Sequence, residues 1–247
     1  MKQSGYTSNE LSHFVGHSHP NDHEMNYATL LKILDASCVT HPPHNKDYNV
    51  RAIVYNKERS LLDEGFAIGN VTCFCDIPIS QLEIHTRKYG LFGLSFPREF
   101  MVKGGARPVF YIPTSKTDLF SVHGEQWLKD IEAVYRGFRE HAVDPLIAAS
   151  PKHEHWMGRQ PESAEESIRA MDDILLEDIL AFIKPFNADL PLDDPNNFYL
   201  EREWRRYGNL HFQQQNIARV FVSPDYLHRL VTDRPAYAAK AYPVNFE

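Results

Sequence analysis

The chain has 247 residues, of which 43% are hydrophobic and 24% are charged, which is enough for a globular protein with a substantial core. It has no run of about 18 apolar residues, and its first ten residues are polar, which argues against a membrane helix and a secretory signal. A net charge of −7 argues against a broad nucleic-acid-binding surface, and three cysteines are too few for a disulfide framework. We therefore expect a cytoplasmic protein.

The first half of the chain is predicted to combine short strands with two helices. An extended segment at residues 10–15 precedes a helix over about residues 24–36, which Asn21 or Asp22 can cap. Further elements follow in chain order: a loop-rich stretch (37–50), a buried strand (71–75), a helix capped by Ser80, and strands over 91–96 and 108–112.

The second half begins with a largely helical stretch over residues 115–148, with an interruption near His123–Gly124. After a loop over 150–162, the clearest helix covers 164–184, because Ser163 and Glu166 form a capping box and Pro185 ends it. Late strands are predicted over 198–205 and 217–222. Strands scattered among helices, without regular alternation, predict a single α+β domain covering residues 1–247.

The predicted strand over 198–205 contains a pair of carboxylates. Strand alternation would place Glu201, Glu203 and Arg205 on one face, with the two carboxylates about 6 to 7 Å apart. Burial of such a pair can raise the pKa of one carboxyl to a catalytically useful value. The alternative is a solvated edge strand on which Glu and Arg form ion pairs. The same alternation predicts that Trp204 lies in the core and that Glu203 and Arg205 do not.

Two further segments could contact a ligand. His13, in an otherwise apolar early segment, could donate a hydrogen bond to a ligand, or it could be a core histidine with its hydrogen bonds satisfied. Gly90 and Gly93 flank aromatic residues, which permits the backbone to approach a flat ligand closely. The alternative is a tight helix-to-strand turn with aromatic core packing.

Histidines are dense near the N-terminus, but their pattern does not indicate a metal site. No cysteine ligands are close by and no H-E-x-x-H order is present, so we predict a solvated loop and no metal. The sequence also has no glycine-rich phosphate loop and no G-x-S-x-G turn, which removes several large enzyme classes. The histidines in question are His13, His17, His19, His23, His41 and His44.

Three strings together resemble the AbiG abortive phage-resistance family, in its AbiGi-type component, which is described as an antitoxin partner. They are Cys73 to Pro78, His85 with Tyr89 to Phe96, and Glu201 to Arg205. The resemblance extends from about Leu11 to Val222. Cys75 stands where a small polar residue is expected.

A second resemblance is to the motif order of ADP-ribosyltransferases: an early Leu-x-His-Phe, a central Tyr-Gly-x-Phe-Gly-x-x-Phe and a late Glu-x-Glu. It implies a split sheet with flanking helices and NAD as substrate. His13 would bind the ribose, Tyr89 or Phe92 would stack on nicotinamide, and Arg205 would also contact the cofactor. Glu201 or Glu203 would stabilise positive charge on the ribose. The Ser-Thr-Ser string of one branch is absent, so the resemblance implies either the His-type branch or no branch of this family.

These resemblances imply a phage-defence protein, and they leave its chemistry open. The first hypothesis is an ADP-ribosyltransferase-like enzyme, for which His13 and at least one of Glu201 and Glu203 must converge on one pocket. The alternative is a non-catalytic antitoxin or sensor that binds a toxin or a phage protein. A metal-dependent nuclease is the third candidate. Nucleic acid is considered as an acceptor, and no membrane partner is expected.

Overall fold

The computed structural model describes residues 8–42, 44–47, 53–63, 65–115, 122–150, 158–191, 194 and 196–245. The chain divides into two compact units. The first consists of residues 1–51, 70–109 and 192–247, and the second of residues 52–69 and 110–191. No helix in this described part of the chain has both the length and the apolar composition that a membrane span requires.

Helices and strands follow one another irregularly, which confirms the predicted α+β class. The strands are β1 (Glu10–Phe14), β2 (Cys38–Val39), β3 (Ile53–Tyr55), β4 (Ala67–Gly69), β5 (Val71–Cys75), β6 (Gly93–Pro97), β7 (Arg107–Pro108), β8 (Phe110–Thr114), β9 (Ile183–Asn187), β10 (Glu203–Tyr207), β11 (Leu210–His211), β12 (Arg219–Val222) and β13 (Ala241–Pro243). The α-helices are α1 (His23–Ala36), α2 (Glu83–Tyr89), α3 (Arg98–Lys103), α4 (Val122–Phe138), α5 (Asp144–Ala149), α6 (Ala164–Asp173) and α7 (Leu227–Asp233). Two π-helical segments, Arg139–Val143 and Ile174–Ile179, continue α4 and α6.

A seven-stranded sheet forms the centre of the first unit, in the order β13-β12-β6-β1-β5-β10-β7. Neighbouring strands are antiparallel except for the parallel pair β12–β13. Cys75 of β5 lies opposite Ser12 of β1 on one side and opposite Glu203 of β10 on the other. Because successive strand residues point to opposite faces, this register fixes which side chains share a face.

The two faces of this sheet carry separate apolar clusters. On one face, Leu11 and Phe74 pack with Leu30 of α1. On the other face, Phe14 stacks on Phe221, with ring centroids 5.3 Å apart. Burial of one such large side chain stabilises the fold by about 2 to 3 kcal/mol. Both faces are therefore held by apolar packing, and polar groups on either face must be satisfied within the unit.

Two predicted elements of the first unit are confirmed. The buried strand expected over residues 71–75 is β5. The helix α1 begins at His23, and the side chain of Asp22 accepts a hydrogen bond from the Met25 N–H at 3.0 Å, as the capping prediction requires.

Two other predictions are wrong in their details. Ser80 does not cap α2, because it lies inside a 3-10 turn, Ile79–Gln81, that precedes the helix. The strand predicted over 108–112 is divided at Val109 into β7, which pairs with β10, and β8, which pairs with β9.

The second unit packs a helical layer against two strand pairs, β3–β4 and β8–β9. Its core includes Leu61, Phe66, Leu128 and Tyr135. The helix α4 begins at Val122, so residues 123 and 124 lie in its first turn, and the interruption predicted near them stays a prediction because the preceding residues are not described. The helix predicted over 164–184 begins at Ala164, where the Ser163 side chain caps it as predicted, and it continues through a π-helical and a 3-10 segment to Phe182. Its predicted end is wrong, because Pro185 lies in β9. Residues 116–121 and 151–157, which belong to a predicted helix and a predicted loop, lie outside the described residues.

Candidate functional site

Glu201 lies in a 3-10 turn, Phe198–Glu201, and not in a strand. The next residue, Arg202, has left-handed backbone angles (φ 43°, ψ 53°), and β10 begins only at Glu203. Non-glycine residues adopt this conformation at a cost, and they do so where surrounding contacts enforce it. Here the Arg202 carbonyl accepts the Asp76 N–H at 3.1 Å. The prediction of one strand over 198–205 is wrong, because the left-handed residue breaks the alternation between the two glutamates.

The carboxylate of Glu201 is paired inside the first unit. Its side chain is 11% exposed, and its Oε1 accepts hydrogen bonds from Lys88 Nζ at 2.7 Å and from the Tyr89 hydroxyl at 2.6 Å. The Lys88 ammonium also lies 4.0 Å from the centre of the Phe198 ring, a cation–π contact. Burial, together with the Glu201 carboxylate, raises the pKa of Tyr89 far above its ordinary value. A cation and a neutral phenol thus balance the Glu201 charge.

Glu203 is also buried, and it is bound by a different cation. Its Oε1 accepts from Arg205 Nε at 2.6 Å. Trp204 points to the opposite face, so the predicted alternation of these three residues is confirmed. The predicted burial is wrong: Glu203 is 6% exposed, while Trp204 is only partly buried. Trp204 lies opposite Pro108 of the two-residue edge strand β7, which is too short to cover the indole.

His13 lies on the other face of the sheet from Glu203. Ser12 shares a face with Cys75 and Glu203, so the next residue, His13, points to the opposite side. Its Nδ1 donates to the Cys73 carbonyl at 2.8 Å, and its ring contacts Phe74. Burial lowers the pKa of His13, which favours the neutral imidazole.

The same arrangement separates His13 from the Glu201 cluster. Glu201 accepts from the Tyr89 hydroxyl, the Tyr89 ring stacks on His85, and His85 contacts Phe14. Phe14 follows His13 in β1 and therefore points to the opposite face of the sheet. The predicted convergence of His13 with Glu201 or Glu203 is therefore wrong, because the sheet stands between them.

The residues predicted to bind a cofactor do not form one surface either. Phe92 is 0% exposed and lies in the core, where its ring contacts Tyr27 and Tyr226. The Tyr89 ring stacks on His85 with centroids 4.4 Å apart. Arg205 is bound to Glu203. Phe92 is thus unavailable for stacking on a ligand in this conformation.

The positions of the histidines were compared with what a metal site requires. Among the described residues, no group of three or more His, Cys, Asp or Glu side chains is placed to hold a metal ion. His17 stacks on Tyr89 and His23 contacts Phe92 edge-on, so two of the N-terminal histidines pack against aromatic rings.

A cavity of about 360 Å³ lies beside Glu201 in the first unit. Its apolar lining comes from Ile77, Ile84 and Leu200, and Lys88 and Glu201 form part of its wall. Uncharged polar side chains (Ser80, Gln81 and Asn197), His85 and further charged side chains (Glu83, Asp194 and Arg202) form the rest of the lining. The residues of this cavity were not predicted from the sequence, although one signal was present: Ile84 and Lys88 stand four residues apart on α2 and so share a helix face.

Comparisons with known proteins agree on a family. A family model described as "Putative abortive phage resistance protein AbiGi, antitoxin" matches residues 51–238, well over half of the chain. The match includes every residue that lines the cavity and both glutamates, whereas His13 lies outside it.

A curated relative, the abortive phage resistance protein AbiGi of Lactococcus lactis subsp. cremoris, is 32% identical over 69 residues, which is 26% of this chain and 27% of the relative. The aligned part therefore spans about a quarter of that relative's length. No solved structure matches the chain, so the ADP-ribosyltransferase-like sheet stays a prediction. The family match confirms the resemblance to the AbiG family: this chain belongs to the AbiGi family of abortive phage resistance proteins.

Proposed function

We propose that the chain acts in phage defence as an antitoxin, which binds a partner toxin and neutralises it. The observation that carries this proposal is the family match over residues 51–238, whose description includes the word antitoxin. The aligned curated relative is also described as an abortive phage resistance protein.

The geometry of the candidate site supports binding better than catalysis. A transferase mechanism needs a carboxylate and a ligand-holding histidine at one pocket, and here the sheet separates His13 from both glutamates. Both carboxylates are also held by cations of their own unit, Glu201 by Lys88 and Glu203 by Arg205. A carboxylate in such a pair is stabilised in the resting state, which leaves less of its charge to stabilise a transition state.

A rescue selection tests the proposal. Genes of the source genome that arrest growth when induced are co-expressed with this chain, and survivors are sequenced. We expect the chain to rescue growth from at least one such gene, and the two purified proteins to form a complex.

The purified chain is then incubated with NAD, and nicotinamide release is measured. The antitoxin proposal expects no release above buffer. NAD turnover by the wild type that falls at least about 100-fold in Glu201→Gln, together with no rescue in the selection, would overturn it in favour of an enzyme.

A further inference from the structure

The cavity beside Glu201 differs from the rest of this acidic chain in its charge. The chain has a net charge of −7, whereas the charged side chains that line the cavity sum to −1, with three acids (Glu83, Asp194 and Glu201) against two bases (Lys88 and Arg202). Lys88 is paired with Glu201 in the wall, and Arg87 just outside the cavity is paired with Glu83. The remaining two charged lining residues are opposite in sign: Asp194 and Arg202.

A cavity whose charges are mostly paired and whose lining includes three apolar side chains favours an uncharged, apolar occupant. An ionic ligand would have to compete with pairs that already exist, and separating a largely buried pair is costly. An apolar group needs no counter-charge, and it gains from covering Ile77, Ile84 and Leu200. Ile84 is 38% exposed, so apolar surface at this position remains in contact with solvent.

The volume of the cavity and the polar side chains at its edge favour a peptide segment as the occupant. A volume of about 360 Å³ is near the lower end of the range for small-molecule sites, and is suited to one or two large side chains. Uncharged polar side chains at the rim, Ser80 and Gln81 among them, match the N–H and C=O groups that flank an inserted side chain in a peptide. Interfaces commonly place an apolar anchor in such a pocket and surround it with polar contacts.

We propose that this cavity is the docking site of the partner toxin, and that it receives a large uncharged apolar side chain from a segment of that toxin. This inference rests on the proposed antitoxin function. It adds where the partner binds and which chemistry it presents. The Lys88–Glu201–Tyr89 cluster then has a positioning role: it holds the end of α2 against the 3-10 turn and so keeps two walls of the cavity in place.

The test fills the cavity and measures toxin binding. The probe is the growth-arresting protein recovered in the rescue selection, titrated by calorimetry against wild type, Ile84→Trp and Val102→Trp. Ile84 and Val102 are both exposed apolar residues on short helices of the first unit, but only Ile84 lines the cavity. We expect Ile84→Trp to weaken binding by at least about tenfold, as for a blocked anchor pocket, and Val102→Trp to change it less than about twofold.

A second variant guards against misfolding. Ile84→Ala removes apolar contact without filling the cavity, so it should weaken toxin binding by about three- to tenfold while the circular dichroism spectrum stays that of the wild type. A complex that tolerates both Ile84 variants as well as Val102→Trp overturns the docking site and leaves the antitoxin function standing. If the wild type rescues growth from no gene, the function fails and the docking site with it.

A small-molecule occupant gives a different pattern. NAD at millimolar concentration would then raise the melting temperature of the wild type but not that of Ile84→Trp, and toxin binding would be equal in both. That result also overturns the docking site.

Discussion

Each unit of the molecule contains a buried carboxylate that is bonded to a cation and a tyrosine. In the first unit, Glu201 accepts from the Lys88 ammonium and the Tyr89 hydroxyl. In the second, Asp172 accepts from the Arg139 guanidinium at 2.5 Å and from the Tyr135 hydroxyl at 2.9 Å. Because the same arrangement occurs in both units, a carboxylate bonded to a cation and a tyrosine is explained by the need to stabilise a buried negative charge. Such a cluster does not by itself indicate catalysis.

The surroundings of the two clusters differ. Tyr135 belongs to the apolar core of the second unit, and Arg139 is held by a second carboxylate, Asp144, at 2.8 Å. The first cluster instead forms part of a cavity wall. The side chains are 15% and 11% exposed for Arg139 and Asp172, against 22% and 11% for Lys88 and Glu201. We therefore assign a structural role to the second cluster and place the binding site at the first.

The largest effect is expected in the second unit. Arg139→Met leaves Asp172 without its cation in a buried position, so the free energy of unfolding should fall by about 3 to 5 kcal/mol. Urea denaturation measures this loss. The matched control is Lys129→Met, which breaks a more exposed ion pair with Glu125 in the same unit and should cost less than about 0.5 kcal/mol. Equal losses in the two variants would show that Asp172 is not effectively buried.

A smaller loss is expected at the cavity. Lys88→Met removes the cation from Glu201, but solvent reaches this pair more easily, so unfolding should become easier by about 1 to 3 kcal/mol. Lys103→Met, which breaks an exposed pair with Glu99, serves as control and should leave the free energy of unfolding unchanged within the error of the urea titration. If Lys88→Met lowers the free energy of unfolding as much as Arg139→Met does, the Lys88–Glu201 pair is as well shielded from solvent as the Arg139–Asp172 pair.

The sequence predicts the parts of this molecule that local physics decides. The apolar, β-rich run of Val71–Cys75 and the capping side chain of Asp22 act within a few residues, and both appear as expected. Whether Glu201 and Glu203 share a strand face depends instead on Arg202. Its left-handed backbone is held by a hydrogen bond from the distant Asp76 N–H, and no local sequence pattern predicts that conformation. His13 was identified as a candidate from its neighbours alone, but its face is set by pairing with strands 60 and more residues away.

The cavity could not be predicted from local sequence patterns either, because its residues come from distant parts of the chain. Ile77 follows β5, Ile84 lies on α2, and Leu200 lies in a turn more than 100 residues later along the chain. Each residue alone is typical of an ordinary core position. The pairing of β5 with β10, together with the hydrogen bonds from Lys88 and Tyr89 to Glu201, brings these residues together.

The smallest effect concerns the two tyrosines at alkaline pH. Burial, aided by the neighbouring carboxylate, raises the pKa of both Tyr89 and Tyr135 well above the ordinary value of about 10. The folded state therefore keeps both protons while the unfolded chain begins to lose them. Because the folded state then binds more protons, the free energy of unfolding must fall as the pH rises.

Phenylalanine variants isolate each contribution. Tyr89→Phe and Tyr135→Phe cannot ionise at the replaced position, so the stability advantage of the wild type over each variant should shrink by about 0.7 kcal/mol between pH 9.5 and 10.5. Urea denaturation at both pH values measures the change, and the other alkaline titrations cancel in the difference. An equal decrease of the stability difference for the two variants would mean that both hydroxyls are shielded from solvent in the folded state. If the difference shrinks for Tyr135→Phe but not for Tyr89→Phe, Tyr89 ionises in the folded state. The two clusters would then share their hydrogen bonds but not the protection of the tyrosine from solvent.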